Sequence, residues 1–506
     1  MYFSFIQNIA PKFNTSPMNL GKQLIIAVVF VINGICNAQN TLEITPWTFK
    51  NREGHKVDSE KGSFVVKENR TNQNSREIEL KFVRFKSTNP NPGYPIIYLA
   101  GGPGGSGIRT AQGERFDLFM ALRGVADVIA FDQRGTGESN SIPNCEVSVS
   151  FPLEQVGDEH SYLKKLKANA NTCLDYWVSH NVDVSAYNTI ENANDLEQLR
   201  LELGVEKLNL WGISYGSHLA LAYIKQYPNN VEHVVLASLE GLNQTIKRPK
   251  YNQQFLAYLA NKVKADPSAA KYYPNVLGMM NEVFDALEKE PVVAEFKNRR
   301  TAKTHKVTIS KFDLQLVTSF FYLKNPEQSK NLPYIFYQMK HGDYSEVAPK
   351  VTQLKQFMGR SLSRLMPLAM EVASGISSKR AKRIQKEKKN ALLGATTNFP
   401  FPQIGEELAI DDLGNVFRKN PKSDVSALFF SGTLDGRTYL PAAAEIIHKF
   451  KNGRHVIIDG AGHDLFLSTP KVKALMLRFL NGDEIESQTI NIPMPKWKLP
   501  NQEVSN

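Results

Sequence analysis

Leu208-Asn209-Leu210-Trp211-Gly212-Ile213-Ser214-Tyr215-Gly216-Ser217-His218-Leu219-Ala220-Leu221-Ala222-Tyr223-Ile224-Lys225-Gln226-Tyr227-Pro228 is the stretch on which the reading of this chain turns. Its opening apolar run predicts a strand ending at Trp211, and Ser217 to Tyr227 predicts a helix that stops before Pro228. Between them lies Gly212-Ile213-Ser214-Tyr215-Gly216, a tight strand-to-helix turn. A serine there takes strained backbone angles, and glycines on both flanks let the turn close without collision.

Working outward, similar short runs recur at Ile96-Ile97-Tyr98-Leu99, Val128-Ile129-Ala130-Phe131, Val234-Val235-Leu236-Ala237, Ala427-Leu428-Phe429-Phe430 and His455-Val456-Ile457-Ile458. Runs of this kind are what strands buried on both faces look like, and helical segments such as Asn192 to Leu203 alternate with them. The expected fold class is therefore α/β, a mainly parallel central sheet flanked by helices. Two alternating segments, Ser63 to Val66 and Ile78 to Phe85, predict an antiparallel hairpin ahead of it.

From about Gln244 to about Asp424 the strand signal fades, and the helical stretches Phe255 to Ala265, Val276 to Glu290 and Leu354 to Val372 dominate. The expectation is an inserted helical cap over residues 244–424, with the sheet-bearing core made of 39–243 and 425–506. The Pro-bearing tail after Gly482 is expected to pack on the surface. A chain of 506 residues that is 42% hydrophobic and 22% charged is not a disordered one. The formal net charge of +11 is diffuse apart from the run Ser378 to Lys389. Helical spacing and the lack of interleaved aromatics make that run a solvated helix face rather than a nucleic-acid surface.

Leu24 to Ile32 is a nine-residue apolar run preceded by Lys22 and followed by Cys36-Asn37-Ala38. This reads as a cleavable signal peptide over residues 1–38, too short for a membrane span, with translation starting at Met18 to give an ordinary short basic leader. Acylation of Cys36 is the weaker alternative, because bulky Ile35 directly precedes it. Cleavage after Ala38 leaves Cys145 and Cys173, an even pair in an oxidising compartment, for which a disulfide is expected and two buried thiols are the alternative. The bond would stabilise the fold by about 3–4 kcal/mol in the chain-entropy model. The expected location is periplasmic or secreted.

A serine hydroxyl is a weak nucleophile at neutral pH and needs a base, which in turn needs a group to fix its tautomer. His463, in Gly460-Ala461-Gly462-His463-Asp464, follows the last strand-like run, and Asp435, in Gly432-Thr433-Leu434-Asp435-Gly436, follows the one before. Ser214, Asp435 and His463, in that order and each just past a strand end, form the candidate catalytic set. The glycine-rich Ala100-Gly101-Gly102-Pro103-Gly104-Gly105-Ser106-Gly107 follows Ile96 to Leu99, and the amides of Gly102 and Tyr215 are the candidate oxyanion donors. That loop lacks the Lys-Ser/Thr of a phosphate-binding P-loop and the Gly-x-Gly-x-x-Gly spacing.

Together these residues resemble the α/β-hydrolase superfamily, and more narrowly the proline iminopeptidase and secreted tripeptidyl aminopeptidase branch of serine peptidases. The narrower resemblance rests on Gly101 to Gly105, on Asp132-Gln133-Arg134-Gly135-Thr136-Gly137-Glu138-Ser139, on Gly212 to Gly216 and on Gly432 to Thr438. It spans about Tyr94 to Leu480, and Cys145 and Cys173 fall where similar secreted proteins carry a cysteine pair. The resemblance implies a structural role for Asp132 and Arg134. Ala100 stands where proline iminopeptidases commonly carry histidine, and Tyr439 where proline usually follows; the first departure is closer to the tripeptidyl group.

The activity implied is that of an exported serine hydrolase releasing N-terminal residues or short peptides, with peptides bearing a free N-terminus as substrates. No metal or organic cofactor, nucleic acid or stable membrane anchor is implied. Glu240, just past Val234 to Ala237, is the candidate partner for the substrate amine, and a turn or capping acid is its alternative role. Phe320-Phe321-Tyr322 is either pocket lining or cap core. The same triad also hydrolyses esters and lactones, and an inactive binding protein on the same fold is the non-enzymatic alternative.

Overall fold

The computed structural model describes residues 41–297, 302–360 and 362–500. The segment read as a signal peptide lies outside them. Among the described residues, no helix is long and apolar enough to cross a membrane.

A ten-stranded sheet organises the chain in the order β1-β2-β3-β5-β4-β6-β7-β10-β11-β12. Its strands are β1 (Glu43–Lys50), β2 (Lys56–Lys67), β3 (Glu77–Phe85), β4 (Ile96–Leu99), β5 (Val128–Phe131), β6 (Leu208–Ile213), β7 (Val231–Ala237), β10 (Ser426–Gly432), β11 (Gly453–Asp459) and β12 (Gln488–Asn491). β1, β2 and β3 pair antiparallel, β3 joins β5 antiparallel, and from β5 to β12 every pairing is parallel. The hairpin forms with Val66 opposite Ile78.

The central strands are mainly apolar because each face meets its own core. Ile97 and Leu99 of β4, Leu208 and Leu210 of β6, and Ala427 and Phe429 of β10 point to one core, with the helices Thr189–Glu202 and Tyr215–Gln226. Their neighbours Ile96, Tyr98, Trp211, Leu428 and Phe430 point to the other, under the helices Phe116–Leu122 and Pro470–Leu480. Cys145 and Cys173 are joined in a disulfide, Cα atoms 5.6 Å apart, in the first of these cores.

Between β7 and β10 the chain is mainly helical, and its buried side chains, among them Leu259, Phe284, Phe336 and Ala369, belong to the same core as the first sheet face. Three details differ from the sequence reading. A two-stranded antiparallel sheet, β8 (Val292–Lys297) and β9 (Thr304–Ile309), interrupts the helices. Leu354 to Val372 is divided between the helices Ala348–Met358 and Leu365–Ser374. The division falls where Gly359 presses on Val149, and a Cβ at Gly359 would lie 2.4 Å from the Val149 carbonyl oxygen. The tail does not merely cover the surface, since β12 extends the sheet beside β11 and Trp497 is buried. The basic run forms the helix Ser378–Glu387, with Arg380 and Ile384 turned inward and the other basic side chains outward.

Candidate active site

The strand β6 ends at Ile213 and the helix Tyr215–Gln226 begins two residues on. Ser214, between them, has φ 56° and ψ −124°, a conformation costing a non-glycine residue about 1–3 kcal/mol. The turn closes because Gly216 has no side chain: a Cβ there would lie 2.0 Å from the Leu99 carbonyl oxygen. The Ser214 amide donates to Ala237 O (3.1 Å) and Ser217 Oγ donates to Ser214 O (2.6 Å), so the elbow is tied to β7 and to its own helix. The Tyr215 amide is the first of that helix, where the helix itself supplies no acceptor.

Asp435 follows β10 and is buried. Both of its carboxylate oxygens lie 3.0 Å from His463 Nδ1. It also accepts from the amides of Arg437 (2.8 Å) and Thr438 (2.9 Å) and from Thr438 Oγ1 (2.6 Å). Burial opposes its charge, but His463 and these donors outweigh burial and hold the carboxyl below the usual carboxylate range. His463 is pinned at both ends of its backbone. Its amide donates to Lys324 O (2.9 Å), and its carbonyl accepts from Ser238 Oγ (2.7 Å), a residue at φ 51° directly after β7.

Ser214 and His463 line one cavity of about 520 Å³, together with Gly101, Gly102, Glu240 and Phe320. Gly102 has φ 132°, which a side chain rarely tolerates. Asp435 stands behind His463, outside the cavity wall, and Phe321 and Tyr322 take no part in the lining. Asp132 is buried and accepts from Ser106 Oγ (2.6 Å) and from the amides of Ile108 (3.1 Å) and Glu138 (2.7 Å), which stitches the glycine-rich loop to β5. Arg134 is buried and forks onto Asp195 with two 2.7 Å bonds.

Glu240 faces the cavity but is not free. Its amide donates to Ser217 Oγ (2.9 Å), and its carboxylate pairs with Lys247, whose Nζ also donates to Gln244 O (3.0 Å). The sequence reading missed another carboxylate in this cavity, Glu371, on the helix Leu365–Ser374. Protein packs closely around Glu371 while part of it stays open to the cavity. That burial and the Glu240 carboxylate raise its pKa to about 8, against the pull of Lys247. The signal was present in Leu365-Met366-Pro367-Leu368-Ala369-Met370-Glu371-Val372-Ala373, where Glu371 is the only charge in an apolar helical run. Beside these groups, Thr245 Oγ1 and Thr397 Oγ1 are buried with no partner among the described residues.

The family model of the alpha/beta hydrolase fold matches residues 94–470, and the chain belongs to that family. A stretch of 163 residues is 29% identical to the serine protease Hip1 of Mycobacterium tuberculosis, covering 31% of this chain and 31% of that protein. Another of 158 residues is 29% identical to the tripeptidyl aminopeptidase of Streptomyces lividans, covering 28% of each. The matched stretches thus span about three tenths of the length of these relatives. Among solved structures, an epoxide hydrolase from an endophytic Streptomyces superposes with a TM-score of 0.37 at 12% identity, over 89% of this chain and 99% of that one.

Proposed function

We propose that the protein is an exported serine hydrolase acting as an aminopeptidase, with residues 244–424 as the cap over its site. Ser214 Oγ attacks the scissile carbonyl, and His463 takes the hydroxyl proton and delivers it to the leaving amine. Asp435 holds the imidazole by Nδ1 and stabilises it when charged. The amides of Gly102 and Tyr215 donate to the oxyanion. Water, deprotonated by His463, then releases the acyl group from Ser214.

The observation that carries the aminopeptidase reading is the charge setting of Glu371. Arg115, Lys324, Arg437 and Asp464 also line the cavity, but the charges that act on Glu371 are the Glu240 carboxylate and Lys247, and Lys247 is already paired with Glu240. Burial, and after it the Glu240 charge, keep Glu371 protonated, and an entering ammonium supplies the partner that offsets both. Glu240, neutralised by Lys247, shapes the anchor, and Glu371 meets the amine. An esterase has no use for this arrangement.

Fluorogenic Pro-, Ala- and tripeptidyl conjugates, each with a free and an acetylated amine, beside a p-nitrophenyl ester, test the reading, with Ser214→Ala as blank. Cleavage of free-amine peptides with loss on acetylation is expected. Glu371→Gln is expected to cut the preference for free over blocked amines at least ten-fold, and Glu240→Gln to cut it less. Turnover of the ester alone would move the assignment to a carboxylesterase or lactonase. N-terminal sequencing of exported protein is expected to begin at Gln39.

A further inference from the structure

A second cavity, of about 230 Å³, opens beside the first and shares with it Gly102, Phe320, Glu371, Phe399 and Phe401. Its remaining wall includes Leu166, Met358, Leu362, Pro367 and Leu368. Leu368 and Glu371 stand three apart on the helix Leu365–Ser374, so one helix face presents the apolar wall and the carboxylate together. Among the described residues, Glu371 is the only ionisable side chain in the lining.

We propose that this cavity is the specificity pocket of the enzyme and takes one large apolar side chain from the acyl part of the substrate. The inference rests on the aminopeptidase reading for its orientation. The acyl part runs from the amine, held at Glu371, to the carbonyl under attack, held at Gly102, and both residues belong to the wall that the cavities share. A side chain leaving the acyl part on that side enters the apolar chamber. The volume lies below the roughly 300 Å³ at which pockets begin to hold drug-sized ligands, so it suits one side chain. Leucine or phenylalanine buries its surface there, whereas an aspartate would lose its water without gaining a cation. Discrimination of about 10–200-fold is what one methylene achieves in such a pocket.

The test uses mature wild-type protein and two variants, Leu362→Trp, which fills the cavity, and Leu368→Ala, which enlarges it. Substrates of the length the enzyme cleaves carry Leu, Phe, Ala or Asp at each acyl position in turn. Labelling with a fluorophosphonate counts folded, competent sites in each preparation. At one position, kcat/KM for Leu and Phe is expected to exceed that for Ala at least ten-fold, with Asp lowest. Leu362→Trp is expected to lower the Leu-to-Ala ratio at least ten-fold, and Leu368→Ala to shift preference from Leu towards Phe. Ratios within about two-fold in the wild type at every position, or ratios that neither variant alters, would overturn the proposal. Equal cleavage of acetylated substrates would instead sink the aminopeptidase reading. The Leu-to-Ala ratio, or the ratio of hexanoate to acetate among p-nitrophenyl esters, still reads the cavity in that case.

Discussion

The elbow around Ser214 and the two loops that carry Asp435 and His463 face the same cavity but are supported in different ways. The elbow is held by the sheet and its own helix: by Gly216 against Leu99, by the Ser214 amide on Ala237, and by Ser217 on the Ser214 carbonyl. The two loops are held by the insertion. Leu323 O accepts from the Gly436 amide, Lys324 O from the His463 amide, and Phe320 O from Arg437 Nη2. From the helix Pro249–Ala265, Tyr258 donates to Asp459 and lies 3.1 Å from Thr433 Oγ1, and Lys262 pairs with Asp459, at the roots of both loops. The difference teaches that the insertion does more than cover the site. It braces the proposed base and the carboxylate behind it, whereas the backbone bonds at the proposed nucleophile are made within the sheet and the elbow's own helix.

Removing chemistry at either region gives the largest effects. Ser214→Ala is expected to lower kcat by at least about 10⁴-fold with thermal stability retained, as measured by steady-state hydrolysis beside a melting curve. On the other side, Asp435→Asn should cost about 10³–10⁴-fold in kcat by leaving the imidazole in the wrong tautomer. Retention of activity in that variant would detach the loops from catalysis and end the comparison.

A smaller effect comes from pH. Because Glu371 holds its proton up to about pH 8, binding an ammonium below that pH must release it. A simple alkylamine, whose ammonium resembles that of lysine with a pKa of about 10.4, stays charged throughout. Its inhibition constant is therefore expected to fall about ten-fold per unit as pH rises towards 8 and then to level off. In Glu371→Gln the constant should be weak and flat. The smallest effect expected is that of Tyr258→Phe, which loosens one strut between insertion and loops while Lys262 and Thr433 still hold Asp459. A three- to ten-fold loss in kcat with little change in KM, and a stability loss of about 1–2 kcal/mol, would sharpen the contrast with the elbow. Unchanged kcat would show that the bracing has no catalytic consequence.

How far the sequence could be read divides along the same line. β4, β5, β6, β7 and β10 are short, mainly apolar runs whose burial on both faces is written into each one, β11 buries Val456 and Ile458 on one face, and Gly212-Ile213-Ser214-Tyr215-Gly216 signals its turn by local sterics. The ends of the sheet are less readable. β12, Gln488-Thr489-Ile490-Asn491, buries only Ile490, and β1 mixes Glu43, Pro46 and Lys50 with its apolar residues, so neither has a clear period. The recognition groups are harder still. Glu240 could be placed near the site, but its pairing with Lys247 depends on how the loop after β7 folds back, and the meaning of Glu371 depends on contact with Glu240 from a helix about 130 residues away. Local patterns encode the scaffold; long-range packing encodes what enters it.

The placement of the insertion also sets a timetable. About 250 residues separate Ser214 from His463, and the last strand of the sheet, β12, follows later still. At about 5–20 residues per second of synthesis, the growing chain carries its proposed nucleophile for roughly 12–50 s before the proposed base has been made. A chain built in this order cannot complete the proposed triad until its synthesis is nearly over.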